Sequence, residues 1–142
     1  MKDPSAAISE AVYQKLIAAA GVTALVGSSP ARIWDKVPEG SGYPYIRVGD
    51  DQAVGDSNSC FDAWEFYVTI HIFSRHAQYP RLEAKDIANA VGQAIGDHAS
   101  LIAPAGFIVT EVELVQSRPL TEDDGVTAHQ VMTFRYQVAD GA

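Results

Sequence analysis

The chain has 142 residues, of which 47% are hydrophobic and 20% charged, a balance that supports one folded domain over 1–142 and excludes a disordered chain. Eighteen acidic residues face ten basic ones, for a net charge of −8, and each half of the chain (split after His71) carries nine acids and five bases. An evenly acidic surface argues against stable DNA or RNA binding, which rests on lysine and arginine neutralising phosphates, but not against nucleic acid sliding past.

Cys60 is the only cysteine, so no intramolecular disulfide can form, and an idle or buried thiol is the expectation. Apolar runs are broken by Gly21, Gly27 or Pro104 well short of the roughly 20 residues a membrane helix needs. Met1-Lys2-Asp3-Pro4 leads directly into helix-like sequence and lacks a signal-peptide core, so a soluble, non-secreted protein is expected.

Asp3 before Pro4 reads as an N-cap with proline in the first helical position, and Ile8, Val12, Leu16 and Ala19 recur at helical spacing up to Gly21. This predicts a helix over 4–20, widened by Tyr13 and Ile17 to pack on a sheet, followed by a turn over 23–27. Residues 32–34 predict a short strand, 38–42 a turn, and 43–48 a second strand whose start or edge is marked by Pro44. Residues 49–61 are rich in Gly, Asp, Ser and Asn and predict a long exposed loop, mobile in the free protein.

The strongest strand signal is 63–74, where Trp64, Phe66, Val68, Ile70 and Ile72 alternate with Glu65, Tyr67, Thr69, His71 and Phe73. At about 3.3 Å per residue it spans about 40 Å, slightly more than the roughly 37 Å diameter expected for a domain of this size, so it must bend or project. A second helix over 79–98 presents Leu82, Ile87, Val91 and Ile95, with Ala84, Ala88 and Ala94 permitting close approach to the strand face carrying Phe66, Val68 and Ile70. Strands at 107–116 and 127–138 then flank a solvated hairpin connection over 118–126, the last strand turning Gln130, Met132, Phe134, Tyr136 and Val138 to one side. Paired strands with few helices give an α+β fold: a mainly antiparallel four-stranded sheet plus a short strand, with two principal helices on one face.

No residue set in this order carries recognisable chemistry. His71, His76, His98 and His129 lack metal-site spacing, although His71 and His129 fall on strands and could meet across the sheet as a polar pair. Asp50-Asp51 and Asp123-Asp124 lack the regular ligand series of a calcium loop, and the glycine-serine segments lack the lysine and spacing of a phosphate loop. No catalytic residue, cofactor or metal is assigned, and no enzyme activity is expected. Two further readings remain: a small ligand-binding or enzymatic domain using Trp34, Trp64, Tyr45 or the histidines, and a general adaptor or oligomerisation domain.

Three segments in order carry a resemblance: Arg32-Ile33-Trp34-Asp35-Lys36-Val37-Pro38 leading to Tyr43-Pro44-Tyr45-Ile46-Arg47-Val48-Gly49; the strand Phe66 to Arg75 running into the second helix; and Gly125-Val126-Thr127-Ala128-His129. Together they resemble the small tail-completion proteins, also called tail terminators or head–tail joining proteins, of long-tailed phages, prophages and gene transfer agents. The resemblance implies a structural protein of the virion tail or neck, assembled in the bacterial host cytoplasm. It implies a homo-oligomeric ring, commonly sixfold, that caps the tail tube and joins it to a head connector or stopper while DNA passes through the lumen. No membrane and no stable nucleic-acid binding are implied.

The residues themselves offer candidate contacts for such an assembly. Tyr67 and Phe73 are apolar on the strand side opposite Phe66 and Ile70, which one isolated sheet does not require. The hairpin at 118–126 offers Glu122, Asp123 and Asp124, and the 49–61 segment offers Asp50, Asp51 and Asp56, which in six copies would turn 6 × 3 = 18 carboxylates towards passing DNA.

Overall fold

The first helix, α1 (Ser5–Ala18), forms where the apolar residues recur every three to four positions, and Ile8, Val12 and Leu16 on that stripe are fully buried. Asp3 supplies its cap: Oδ1 accepts the Ser5 backbone N–H at 2.8 Å and the Ser5 hydroxyl at 2.6 Å. A computed structural model describes residues 2–56 and 63–141. The helix does not continue to residue 20. The chain turns extended at Ala19, whose carbonyl then accepts the Val22 and Thr23 N–H groups to start α2 (Ala20–Val26). Burial of Val22 and Val26 holds this second helix, with Gly21 inside it, where a stop and then a turn over 23–27 were expected. Gly27 ends it at φ 91°, a left-handed conformation that favours glycine.

Five strands follow: β1 (Ile33–Trp34), β2 (Tyr45–Asp56), β3 (Ala63–Ser74), β4 (Phe107–Thr121) and β5 (Ala128–Asp140). They form one sheet in the order β1-β2-β3-β5-β4, with β1 parallel to β2 and every other pair antiparallel. The helix α3 (Pro80–Ile95) connects β3 to the second half of the chain, followed by a 3-10 turn at Ala99–Leu101. The architecture is α+β, and the short strand of the sequence reading is β1.

The strand at 63–74 is found with those bounds, and it keeps an unbroken register with β5. Its neighbour β2 departs from the sequence reading. Residues 49–56, expected as loop, extend β2 into a hairpin with β3, in register from Gln52↔Tyr67 to Asp56↔Ala63. Backbone pairing to β3 supplies the order that polar side chains do not, and β1 reaches only Ile46 and Arg47, so the acids keep an open flank in water. The remaining residues of that expected loop, with Cys60, lie outside the described residues.

The sheet's lengths also exceed expectation at the other edge. β4 runs to Thr121 and includes Pro119, which an edge strand tolerates because its missing N–H faces no partner. Bulges between Val109 and Glu111 and between Leu114 and Gln116 interrupt its pairing with β5. The connection is thereby shortened to residues 122–127.

All three helices contact one another in a single layer on the sheet face that carries Phe66, Val68, Ile70 and Ile72. Helix α3 sits over β3 and β5 with Ile87, Val91 and Ile95 fully buried, as the matched stripes predict. Leu82 does not join this stripe: it is 57% exposed in the first turn of α3. On β5, Met132, Phe134, Tyr136 and Val138 face the core, and Gln130 satisfies its amide by donating to Ser117 Oγ at 2.9 Å. Tyr136, whose phenol is pushed up in pKa by burial, donates its hydroxyl to the Ile95 carbonyl at 2.9 Å and locks the end of α3 to the sheet. Trp64, expected on the core alternation, is half-buried beside the core, and its indole N–H has no partner among the described residues.

Candidate assembly surface

Because successive strand residues point to opposite faces, burying Phe66, Val68, Ile70 and Ile72 under the helices turns Glu65, Tyr67, Thr69, His71 and Phe73 to the other face. Among the described residues no helix covers that face. Cross-strand neighbours complete it: Tyr45, Arg47, Gln52 and Val54 from β2, His129, Val131, Thr133, Arg135 and Gln137 from β5, and Glu111, Glu113 and Arg118 from β4.

An aromatic ladder crosses one end of this open face. Tyr43 lies 5.2 Å from Tyr45, Tyr45 stacks on Phe73 at 4.9 Å, and Phe73 stacks on His129 at 4.2 Å between ring centroids. Arg75 covers the Tyr43 ring at 4.5 Å. Toward the opposite end, Tyr67 donates to Glu65 at 3.1 Å, and Arg135 gathers three carboxylates, Glu113 at 2.7 Å, Glu65 at 3.4 Å and Glu111 at 3.5 Å. One cation among three acids leaves this end electronegative.

A chain of hydrogen bonds links the two flanks. Asp50 Oδ2 meets His71 Nε2 at 2.7 Å, His71 Nδ1 meets His129 Nε2 at 2.8 Å, and His129 Nδ1 meets Glu122 Oε1 at 2.7 Å. Both imidazoles are close to fully buried. The bond from His71, then that from Arg47, holds the Asp50 carboxyl below the usual carboxylate range. Burial lowers the His71 pKa, and the Asp50 bond opposes it only in part.

The sequence-level candidates therefore separate. Tyr67, Phe73, Asp50 and Glu122 share the open face. Asp51 does not: the bulge between Gly49 and Gln52 sends it to the helix side, where it accepts a hydrogen bond from Ser9 at 2.9 Å. Asp56 ends β2. Asp123 is exposed in the 122–127 turn. Asp124 is committed to building that turn, accepting the Val126 and Thr127 N–H groups at 2.9 Å each and the Thr127 hydroxyl, with Arg75 at 3.3 Å. These bonds pull its pKa down to about 2.

The meeting of His71 with His129 follows from the period-two pattern, since both occupy the outward positions of neighbouring strands. Arg135 was missed, and Glu122, a candidate contact from the sequence, was not read as the partner of His129, because both pairings depend on how β4 and β5 are brought together. A cleft of about 500 Å³ lies between α1 and β2 and is lined by Ser9, Glu10, Tyr13, Asp35, Val48 and Asp51. It contains no histidine, cysteine or base paired with a nucleophile. No group of three or more metal-ligating side chains occurs among the described residues.

Acid should weaken the fold in two stages. His71 has a folded pKa below its ordinary 6.5, so the unfolded chain takes up that proton first and stability falls as pH drops below 6.5. Asp50 and Asp124 have folded values below 3.8, so their contribution is present above 3.8 and is lost as pH falls through the folded values, about 2 for Asp124. Urea midpoints at pH 7, 5 and 3 should decline stepwise, and a midpoint unchanged from 7 to 3 would contradict the assignments.

Residues 10–139 match the family described as tail completion protein gp17. A chain from the virion of a native gene transfer agent (GTA) particle superposes with TM-score 0.84 at 21% identity, covering 98% of this chain and 99% of that one. The bacteriophage SPP1 gp17 protein superposes with TM-score 0.59 at 24% identity, covering 93% and 88%. No curated protein matches the sequence. At these identities the two structures establish a shared fold, while the match over residues 10–139 decides the family: the chain belongs to the gp17 tail completion proteins.

Proposed function

We propose that this protein is a structural subunit of a phage, prophage or gene-transfer-agent tail, forming a ring, sixfold in the assembly, that caps the tail tube and joins it to the head connector or stopper. The whole chain acts as one tail-completion domain, at the virion tail or neck, after assembly in the host cytoplasm. The observation that carries this reading is a sheet face that no helix covers among the described residues, bearing Tyr67 and Phe73, in a chain of the tail completion family. An aromatic surface of this kind is matched to protein partners. The single cation amid Glu65, Glu111 and Glu113, and the net charge of −8, disfavour stable DNA adhesion and suit a conduit through which DNA moves.

In this arrangement part of β3 or the hairpin bearing Glu122, Asp123 and Asp124 packs on a neighbouring subunit, and the β2 acids on the open face line the channel. Because Asp50 and Asp51 point to opposite faces, their contributions are separable. Replacing Asp50, Asp51 and Asp56 together with Asn should leave head–tail joining intact and slow DNA ejection, read by joined-particle counts and ejection kinetics. Unchanged ejection would remove the acids from the channel.

The ring itself is tested by incubating the protein with purified tail tubes and imaging by negative stain. A sixfold-symmetric density at one tube end is expected, and bare tube ends at saturating protein would overturn the reading. Mass by light scattering then tells whether the free protein is a monomer or preassembled.

A further inference from the structure

The chain from exposed Asp50 through the two buried histidines to Glu122 has three hydrogen bonds and therefore requires three hydrogens. Neither carboxylate brings one when ionised, and two neutral imidazoles bring two. The third has to be added as a proton to His71, His129 or Glu122. Without it, a bare imidazole nitrogen faces the Glu122 carboxylate at 2.7 Å. With a second one, two N–H groups face each other between rings whose nitrogens stand 2.8 Å apart. Either change breaks one link.

We propose that Asp50, His71, His129 and Glu122 form a proton-dependent clamp that ties the 122–127 turn to the β2 bulge across the open sheet face only while the chain holds a single added proton. The bulge aims one end of the clamp: Asp50 sits at φ 54°, an unusual conformation for a non-glycine residue. The aromatic stack of Tyr45 and Phe73 on His129 shields the other ring. The charged groups around the pair are Arg47 and Asp50 from β2, Arg118 from β4, which shares the cross-strand row of Val131 and His71, and Glu122 from the turn. Beyond them, Arg75 and Asp124 pair with each other. Arg47 opposes a proton added at His71, while Asp50 favours it.

When the first proton leaves in alkali, Glu122 loses its donor and the turn is released at that point. When a second arrives in acid, the imidazoles separate and the two flanks of the face are uncoupled. The clamp is thus closed in one interval of pH and open on both sides of it, independently of any assembly role.

The test is a pH titration of the intact protein by NMR, following the imidazole nitrogens and the exchange of the amides in turn 122–127, corrected for the intrinsic pH dependence of exchange. The two rings should titrate in separate, mutually dependent steps, and turn protection should peak between them and fall about tenfold on the alkaline side, as expected for one lost charge-assisted hydrogen bond. In Glu122→Gln the amide can donate to neutral His129, so the alkaline loss should disappear. Coincident independent titrations of the rings, or turn protection that does not change with pH in the wild-type protein, would overturn the proposal.

Discussion

Replacing Phe134 with alanine is expected to lower the stability of the free protein by about 3–5 kcal/mol, the range for emptying a buried aromatic site. The ring is fully buried on β5 and lies under the end of α3. The fit is close there: a β-carbon at Gly96 would stand 2.6 Å from Phe134 Cε1. The surrounding structure has little freedom to collapse into the space, because the Tyr136 hydroxyl bonded to the Ile95 carbonyl holds the helix at its distance from the sheet. Urea unfolding gives the loss directly, and a loss below about 1 kcal/mol would place the ring outside the core.

Replacing Tyr67 with alanine should have the opposite profile. Tyr67 is half-buried on the open face, and among the described residues its hydroxyl engages only the Glu65 carboxylate. Its removal should cost the free protein no more than about 1 kcal/mol. If the open face meets a neighbouring subunit or the tail tube, loss of an interface aromatic should weaken assembly by about 2 kcal/mol or more, a drop of at least about 30-fold in affinity. Binding to tail tubes measured by co-sedimentation, beside urea unfolding of the same variant, separates the two effects. Wild-type binding would remove Tyr67 from the contact.

The parts of the fold legible in the sequence are those where side chains alone select the conformation. Strand β3 and the buried face of β5 could be read because each alternates over many residues with a strongly apolar side. Helix α3 was read for the same reason at helical spacing, except for Leu82, whose exposed place in the first turn periodicity does not reveal. The second half of β2 was not legible. Its glycines and aspartates have little intrinsic strand preference, and pairing with β3 overrides them. The break at Ala19 was likewise silent, since Ala18, Ala19 and Ala20 carry no punctuation and burial of Val22 and Val26 reorients the chain.

The candidate surface divides along the same line. Tyr67 and Phe73 were placed on the face opposite the core by period two alone. Which of Asp50 and Asp51 faces outward depends on the bulge between Gly49 and Gln52, since unbroken alternation from Gly49 would turn Asp51 to the open face, and bulges are set by register between strands. The pairing of β5 with β3 and β4 brings three glutamates to Arg135 from positions 22 to 70 residues away, too far apart in sequence to be read locally, and the turn over 122–127 brings Glu122 back to His129.

On the function proposed above, this chain makes a tail competent to join a head. The most direct test of that role is head–tail joining in vitro: filled heads and tails are purified from particles whose copy of this protein has been deleted, the purified protein is added, and joined particles are counted by electron microscopy. The account predicts separate heads and tails without the protein, joined particles after its addition, and a density of this chain's size at each junction. Heads and tails that join equally well without it would contradict the account.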